Sequence, residues 1–142
     1  MASAPQLTLL VDGECGVCCW GGIQIAARVP ALAVSTIQLH LDAELAGLDA
    51  ERALASWHLV GPAMQPLGGA DVIVEILIAA GRPRAAATAT MLLPLLRPAY
   101  RLAAASRPLW AKLVPAERRA WARERLASAS RMQVRRLGRV GA

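Results

Sequence analysis

Residues 7–20, LTLLVDGECGVCCW, change character within one turn: a mostly apolar run ends at Asp12-Gly13, and all three cysteines of the chain follow directly. Leu7 to Val11 has the length and apolarity of a buried strand, and the turn-forming pair Asp-Gly stops it. From Cys15 the periodicity becomes helical, with Val17, Trp20, Ile23 and Ala27 three or four residues apart until Pro30 ends it. The cysteines therefore fall where a strand hands over to a helix. A fold that accepts this chain opens with strand, turn and helix, and carries its thiols at the helix N-terminus.

The chain has 142 residues, one domain's length, enough to bury a core without disulfide staples. Residues 33–39, AVSTIQL, alternate as a second strand does. Residues 43–56 are helix-like, with Leu45, Leu48 and Leu54 as core positions and Asp42 as a cap. Residues 57–60 and 64–67 flank Gly61-Pro62-Ala63, the pattern of a hairpin. After Gly68-Gly69, ADVIVEILIAAG puts Ile73, Ile76, Leu77 and Ala80 on one helical face, with Asp71 in the first turn. The order strand, helix, strand, helix, strand, strand, helix predicts an α/β fold with the thioredoxin-like βαβαββα arrangement. Beyond Gly81 the pattern is helical and is cut by Pro94, Pro98, Pro108 and Pro115, each a helix break or a first-turn residue, so additional C-terminal helices are expected. Residues 1–114 read as the thioredoxin-like domain with its helical extension, and residues 115–142 as a basic C-terminal helix and tail.

Residues 1–5 carry no Lys or Arg, and the apolar run after them is too short for a signal peptide, so a cytoplasmic protein is expected. The longest apolar run, AAATATMLLPLL, is diluted by threonine and proline and falls short of the roughly 20 residues of a spanning helix, so no transmembrane segment is expected. In a reducing cytosol, clustered cysteines suit catalysis, redox sensing or metal binding better than a permanent bridge. Zinc needs four ligands, and His40 and His58 are the only other soft ones, so no metal site is predicted. Plain packing of small buried thiols in a corner stands beside the redox reading.

On the redox reading, Cys15-Gly16-Val17-Cys18 places its first thiol near unpaired N–H groups and the positive helix end, which favour the thiolate. Cys15 is then the attacking thiol, and Cys18, one turn on, the resolving one. Cys19 points to another face and is expected to pack, as are Trp20 and Trp57. Asp12 and Gly13 support the pair, Asp12 by holding the turn or by accepting a proton. An ordinary thiol is only about 3% ionised at pH 7, and a helix terminus supplies less than one pKa unit. Asp12 and Glu14 oppose activation, and no Lys, Arg or His occurs between Met1 and Gln24. A modest thiolate follows, with a reduction potential nearer about −270 mV than about −120 mV.

At LLVDGECGVC the chain resembles the DCC family of thiol-disulfide oxidoreductases, whose signature is Asp-Gly-x-Cys-x-x-Cys after a first strand; Asp12, Cys15 and Cys18 match it. GGADVIVEIL from Gly68 resembles that family's Gly-Ala-Asp helix start, and AYRLAAASR from Ala99 its Tyr-Arg helix, so the likeness reaches about Leu113. The resemblance implies a thioredoxin-like fold and disulfide exchange by the two motif cysteines, without a bound cofactor. Two departures stand out. Ser106, Arg107 and Pro108 occupy positions where the family usually has Asn, Arg and an aromatic, and no proline lies between Ala31 and Gly61, where the superfamily keeps a cis-proline.

The formal charge of +6 is unevenly spread: residues 1–96 hold four basic and eight acidic residues, and residues 97–142 hold twelve and two. A basic end, including Arg118, Arg119, Arg123, Arg135 and Arg136, suits an acidic partner such as nucleic acid, an anionic membrane surface or a protein; a solvated helical face is the commoner reading. Two functions thus fit the sequence. The first is a thiol-disulfide oxidoreductase acting on protein or small-molecule disulfides. The second is a redox-sensing binding module whose basic helix docks on an acidic partner.

Overall fold

The computed structural model describes residues 7–42, 45–62 and 64–140, with side chains as far as residue 129. Strand β1 (Leu7–Val11) leads through the Asp-Gly turn into α1 (Gly16–Arg28), and β2 (Leu32–Thr36) returns parallel to β1 with Leu7 opposite Leu32 and Val11 opposite Thr36. Short helices α2 (Ile37–His40) and α3 (Ala50–Leu54) follow, then β3 (His58–Val60) and β4 (Leu67–Gly68). β3 runs antiparallel to β1, with Leu9 opposite Leu59, and β4 antiparallel to β3, so the mixed sheet has the order β2-β1-β3-β4. The remainder is helical: α4 (Asp71–Ala79), α5 (Pro83–Met91), α6 (Leu93–Ala105), α7 (Arg107–Trp110) and the long α8 (Ala116–Val140).

β1 is central, and this explains its near-continuous apolar sequence. Leu9 and Val11 face a core shared with Val17, Cys18, Cys19, Leu59, Val72, Ala122 and Leu126, while Leu10 faces a second cluster with Ile37, Leu45, Ala53 and Val60. A strand covered on both faces has no polar side to show. Burying each such leucine or isoleucine stabilises the fold by roughly 1.5–3 kcal/mol relative to exposure. The basic helix α8 belongs to the first core, because Ala122 and Leu126, one turn apart, are both buried against it. Arg118, Glu117 and Arg125 stay exposed on its outer side. Arg135 and Arg136 lie in α8, with side chains outside the described ones.

Several elements differ from the sequence reading. The expected strand at residues 33–39 ends at Thr36, and the chain turns into α2. The helix expected at residues 43–56, whose start is outside the described residues, is limited to Ala50–Leu54, and its cap is Asp49, which accepts from the Arg52 N–H at 2.8 Å. Leu45 is buried as expected, but Leu48 is 38% exposed. In α4 the buried face is centred on Val72, with Ile76, Ala79 and Ala80 beside it, and Ile73 points out. Pro94 and Pro108 occupy first turns, whereas α6 runs on through Pro98. The N–H that Pro98 lacks would have met only the carbonyl of Pro94, itself in the first turn.

Helix α6 is tied to the residue before β3 and to α4, and α7 to α6, by side-chain hydrogen bonds. The Trp57 N–H donates to Tyr100 Oη at 2.8 Å, Trp110 Nε1 donates to the Ala103 carbonyl at 2.7 Å, and Arg97 pairs with Asp71 at 3.0 Å. No helix among the described residues is long and apolar enough to cross a membrane.

Candidate redox site

The turn after β1 is held by a carboxylate and an amide clasped across two elements. Asp12 Oδ1 accepts from the Glu14 N–H at 3.0 Å and from Gln38 Nε2 at 2.8 Å, while Gln38 Oε1 accepts from the Gly13 N–H at 3.0 Å. The Asp12 carbonyl accepts from the Cys15 N–H at 3.1 Å. Gly13 is required for space: a Cβ there would stand 2.8 Å from Thr36 Cγ2. Asp12 and Gly13 thus support the cysteines by fixing the turn, and Gln38 is a third member that a strand reading of its segment concealed.

Cys15 is the N-cap of α1, its backbone extended (φ −88, ψ 102) and its Sγ accepting from the Cys18 N–H at 3.4 Å. The two Sγ atoms lie 2.6 Å apart in a thiol–thiol hydrogen bond, in which Cys18 is the donor once Cys15 is ionised. This donation is the largest influence on Cys15 and brings its pKa down to about 6; burial and the Asp12 charge oppose it, and the Cys18 N–H and the Arg107 guanidinium assist it. The Cys18 thiol is pushed well up, because ionising it would forfeit that donation and leave charge in a buried place beside a second sulfur. Cys19, fully buried, is pushed up to about 12, chiefly by burial. Its Sγ donates toward the Asp12 and Gly13 carbonyls at 3.4 and 3.6 Å, so it packs and buttresses the turn.

The modest thiolate expected from neighbouring charges gives way to an activated one, since a thiol of pKa about 6 is roughly nine-tenths ionised at pH 7. Two causes were invisible along the sequence. Cys18 donates directly, and Arg107 arrives from α7 with Nη1 at 4.0 Å from Asp12 Oδ2, both side chains 19% exposed. A cleft of ≈ 450 Å³ opens beside Cys15 between the start of α1, α7 and α8. A smaller cavity of ≈ 180 Å³ lies against Cys18, walled by Trp57, Tyr100 and Trp110. Trp57 therefore both packs on the core and borders the Cys18 thiol. Trp20 packs against the core alone.

The histidines are engaged in structure. His58 Nε2 lies 2.8 Å from the Ala53 carbonyl and His40 Nε2 3.3 Å from Ser35 Oγ. Among the described residues no cluster of three or more His, Cys, Asp or Glu is placed to hold a metal ion. No family model, curated protein or solved structure matches the chain.

Asp12 separates structure from electrostatics. Asp12→Asn keeps the Oδ1 acceptor of the turn but removes the charge that pushes Cys15 upward. The Cys15 titration, followed by alkylation rate against pH or by thiolate absorbance, is expected to move below its present value of about 6 while fold stability changes by no more than about 1 kcal/mol. A titration that stays put or rises would refute this account of Asp12.

Proposed function

We propose that the chain is a thiol-disulfide oxidoreductase built on a thioredoxin-like core, of the kind its DCC-like signature implies, with Cys15 attacking and Cys18 resolving. The observation that carries the reading is the Cys15 sulfur at a helix N-terminus, activated to a pKa of about 6 and 2.6 Å from the buried Cys18 thiol. The sheet order β2-β1-β3-β4, with β1 and β2 parallel and β3 and β4 antiparallel, supports the core assignment.

The steps follow from the two thiols. The Cys15 thiolate attacks one sulfur of a disulfide R–S–S–R, forming Cys15–S–S–R and expelling RS⁻, which takes a proton from water. The Cys18 thiol passes its proton to solvent and attacks Cys15 Sγ, forming the Cys15–Cys18 disulfide and releasing the second RSH. Substrate gains two electrons and the dithiol loses them. The asymmetry of the pair suits these roles, because the thiol held down is ready at neutral pH and the thiol held up stays protonated until its partner's charge is consumed. A cytoplasmic setting, where thiols are kept reduced, would return the disulfide to dithiol.

Insulin reduction by dithiothreitol tests the reading. Wild-type protein is expected to accelerate the reaction and Cys15→Ser to leave only the uncatalysed rate; undiminished activity in the mutant overturns it.

A further inference from the structure

The proposed exchange reaction leaves open what kind of disulfide reaches Cys15, and the walls of the adjoining cleft bear on that. It lies between the first residues of α1 and the facing surfaces of α7 and α8, and Gly16, Ala111, Ala116 and Ala120 line it with little side-chain bulk. At ≈ 450 Å³ it has the size of a small-molecule site. Its charge is one-sided: Arg107, Arg119 and Arg123 line it, against Glu14 alone. Arg107 is partly neutralised by Asp12 at 4.0 Å. Among the described residues, Arg119 and Arg123 form no ion pair, and Arg119 Nε is buried without any hydrogen-bond partner. A guanidinium with one nitrogen removed from water and nothing to donate to is costly, and an anion in the cleft beside it would offset its charge.

We propose that this cleft binds the carboxylate-bearing half of a small acidic disulfide, so that Arg119 and Arg123 select anionic low-molecular-weight disulfides for attack by Cys15. The inference rests on the exchange reading and adds a substrate class to it. Guanidinium pairs bidentately with carboxylate, and a cleft with walls of low dielectric strengthens that attraction. In the bound state the carboxylate lies along α8 and one sulfur faces Cys15. The attack forms the Cys15 mixed disulfide with that half and expels the other half as its thiolate, which is protonated by water. Cys18 then displaces the bound half as a second thiol. Because the anion-holding residues stand on α8 and the reacting sulfurs on α1, binding and chemistry can be altered separately.

The test measures the rate at which the reduced full-length protein is oxidised by glutathione disulfide, which is anionic, by 2-hydroxyethyl disulfide, which is neutral, and by cystamine, which is cationic. Each rate is normalised to that of the same disulfide with free dithiothreitol. The expected order is glutathione disulfide, then the neutral compound, then cystamine, with the glutathione preference shrinking as salt rises. Arg123→Gln, at an exposed position, and Arg119→Gln, which keeps the Cβ packed on Gly16, are each expected to lower the glutathione rate by roughly three- to tenfold and the neutral rate by less than about twofold. Equal normalised rates for the three disulfides, or variants that slow all three alike, overturn the proposal while leaving exchange at Cys15 intact. Failure of every disulfide to oxidise the pair overturns the exchange reading itself.

Discussion

In the Cys18→Ser protein, exchange is expected to stop after its first step. Incubation with glutathione disulfide should leave a single glutathionyl group on Cys15, detectable by mass, and turnover should fall to the uncatalysed rate. The serine hydroxyl cannot displace the mixed disulfide, but it can still donate to Cys15 Sγ, so the attacking thiolate stays populated near neutral pH. Cys18→Ala distinguishes the two duties of this residue. It also lacks the resolving sulfur but removes the donation that most lowers Cys15, so its adduct should form more slowly at pH 6 to 7 and recover at alkaline pH. An adduct on Cys19, or equal pH profiles for the Ser and Ala proteins, would contradict the assignment of roles.

The largest structural effect is expected at Gly16, the second motif residue. A Cβ there would stand 2.6 Å from Arg119 Cβ and 3.1 Å from the Arg119 carbonyl, so α8 passes over α1 at a distance that only glycine allows. Part of that obstruction is backbone and cannot swing aside. Gly16→Ala gains at most about 1 kcal/mol of helix propensity, and less in a first turn, against roughly 1–3 kcal/mol for overpacking. The clash wins. A net loss of about 1–2 kcal/mol is expected in denaturant unfolding, because Ala122 and Leu126 on the same helix are drawn away from the core as α8 shifts. Unchanged stability would mean that the helix contact is loose, and the cleft between α1 and α8 would lose its fixed width.

Activation of Cys15 bears on the direction of electron flow. A depressed thiol pKa stabilises the reduced dithiol at every pH above about 6, and so raises the reduction potential. At pH 7, replacing an ordinary pKa near 8.5 by one near 6 favours the reduced form about tenfold, or about 30 mV for a two-electron couple. That step is small beside the interval of about 150 mV between reductants and strong oxidants of this chemistry, so on the proposed exchange function a glutathione equilibrium is expected to place the couple nearer about −270 mV than about −120 mV.

The parts of the site that were legible in the sequence are those fixed by neighbours along the chain. The apolar run of β1, the Asp-Gly stop and the helical spacing after Cys15 are local choices, and they led to the N-cap placement of Cys15, the turn role of Asp12 and the packing of Cys19. The hairpin between β3 and β4 was legible for the same reason, although its second arm, expected at residues 64–67, lies at Leu67–Gly68. Where local and tertiary demands competed, the sequence misled: Ile73 fits an apolar helical face, yet Val72 is the residue turned to the core, because packing beside β4 and α5 sets which side of α4 is covered.

What the linear sequence determined by itself is the order of elements and the pairing of two thiols one helical turn apart, since both depend on backbone periods of two and 3.6 residues. How strongly Cys15 is activated, and what surrounds it, depends on side chains that folding brings in from distant segments. Gln38 reaches Asp12 from α2, Arg107 comes from α7, and Arg119 and Arg123 come from α8. The donation from Cys18 does most to lower Cys15 and the Arg107 charge adds to it through space, and a nearest-neighbour reading of charges along the chain contains neither.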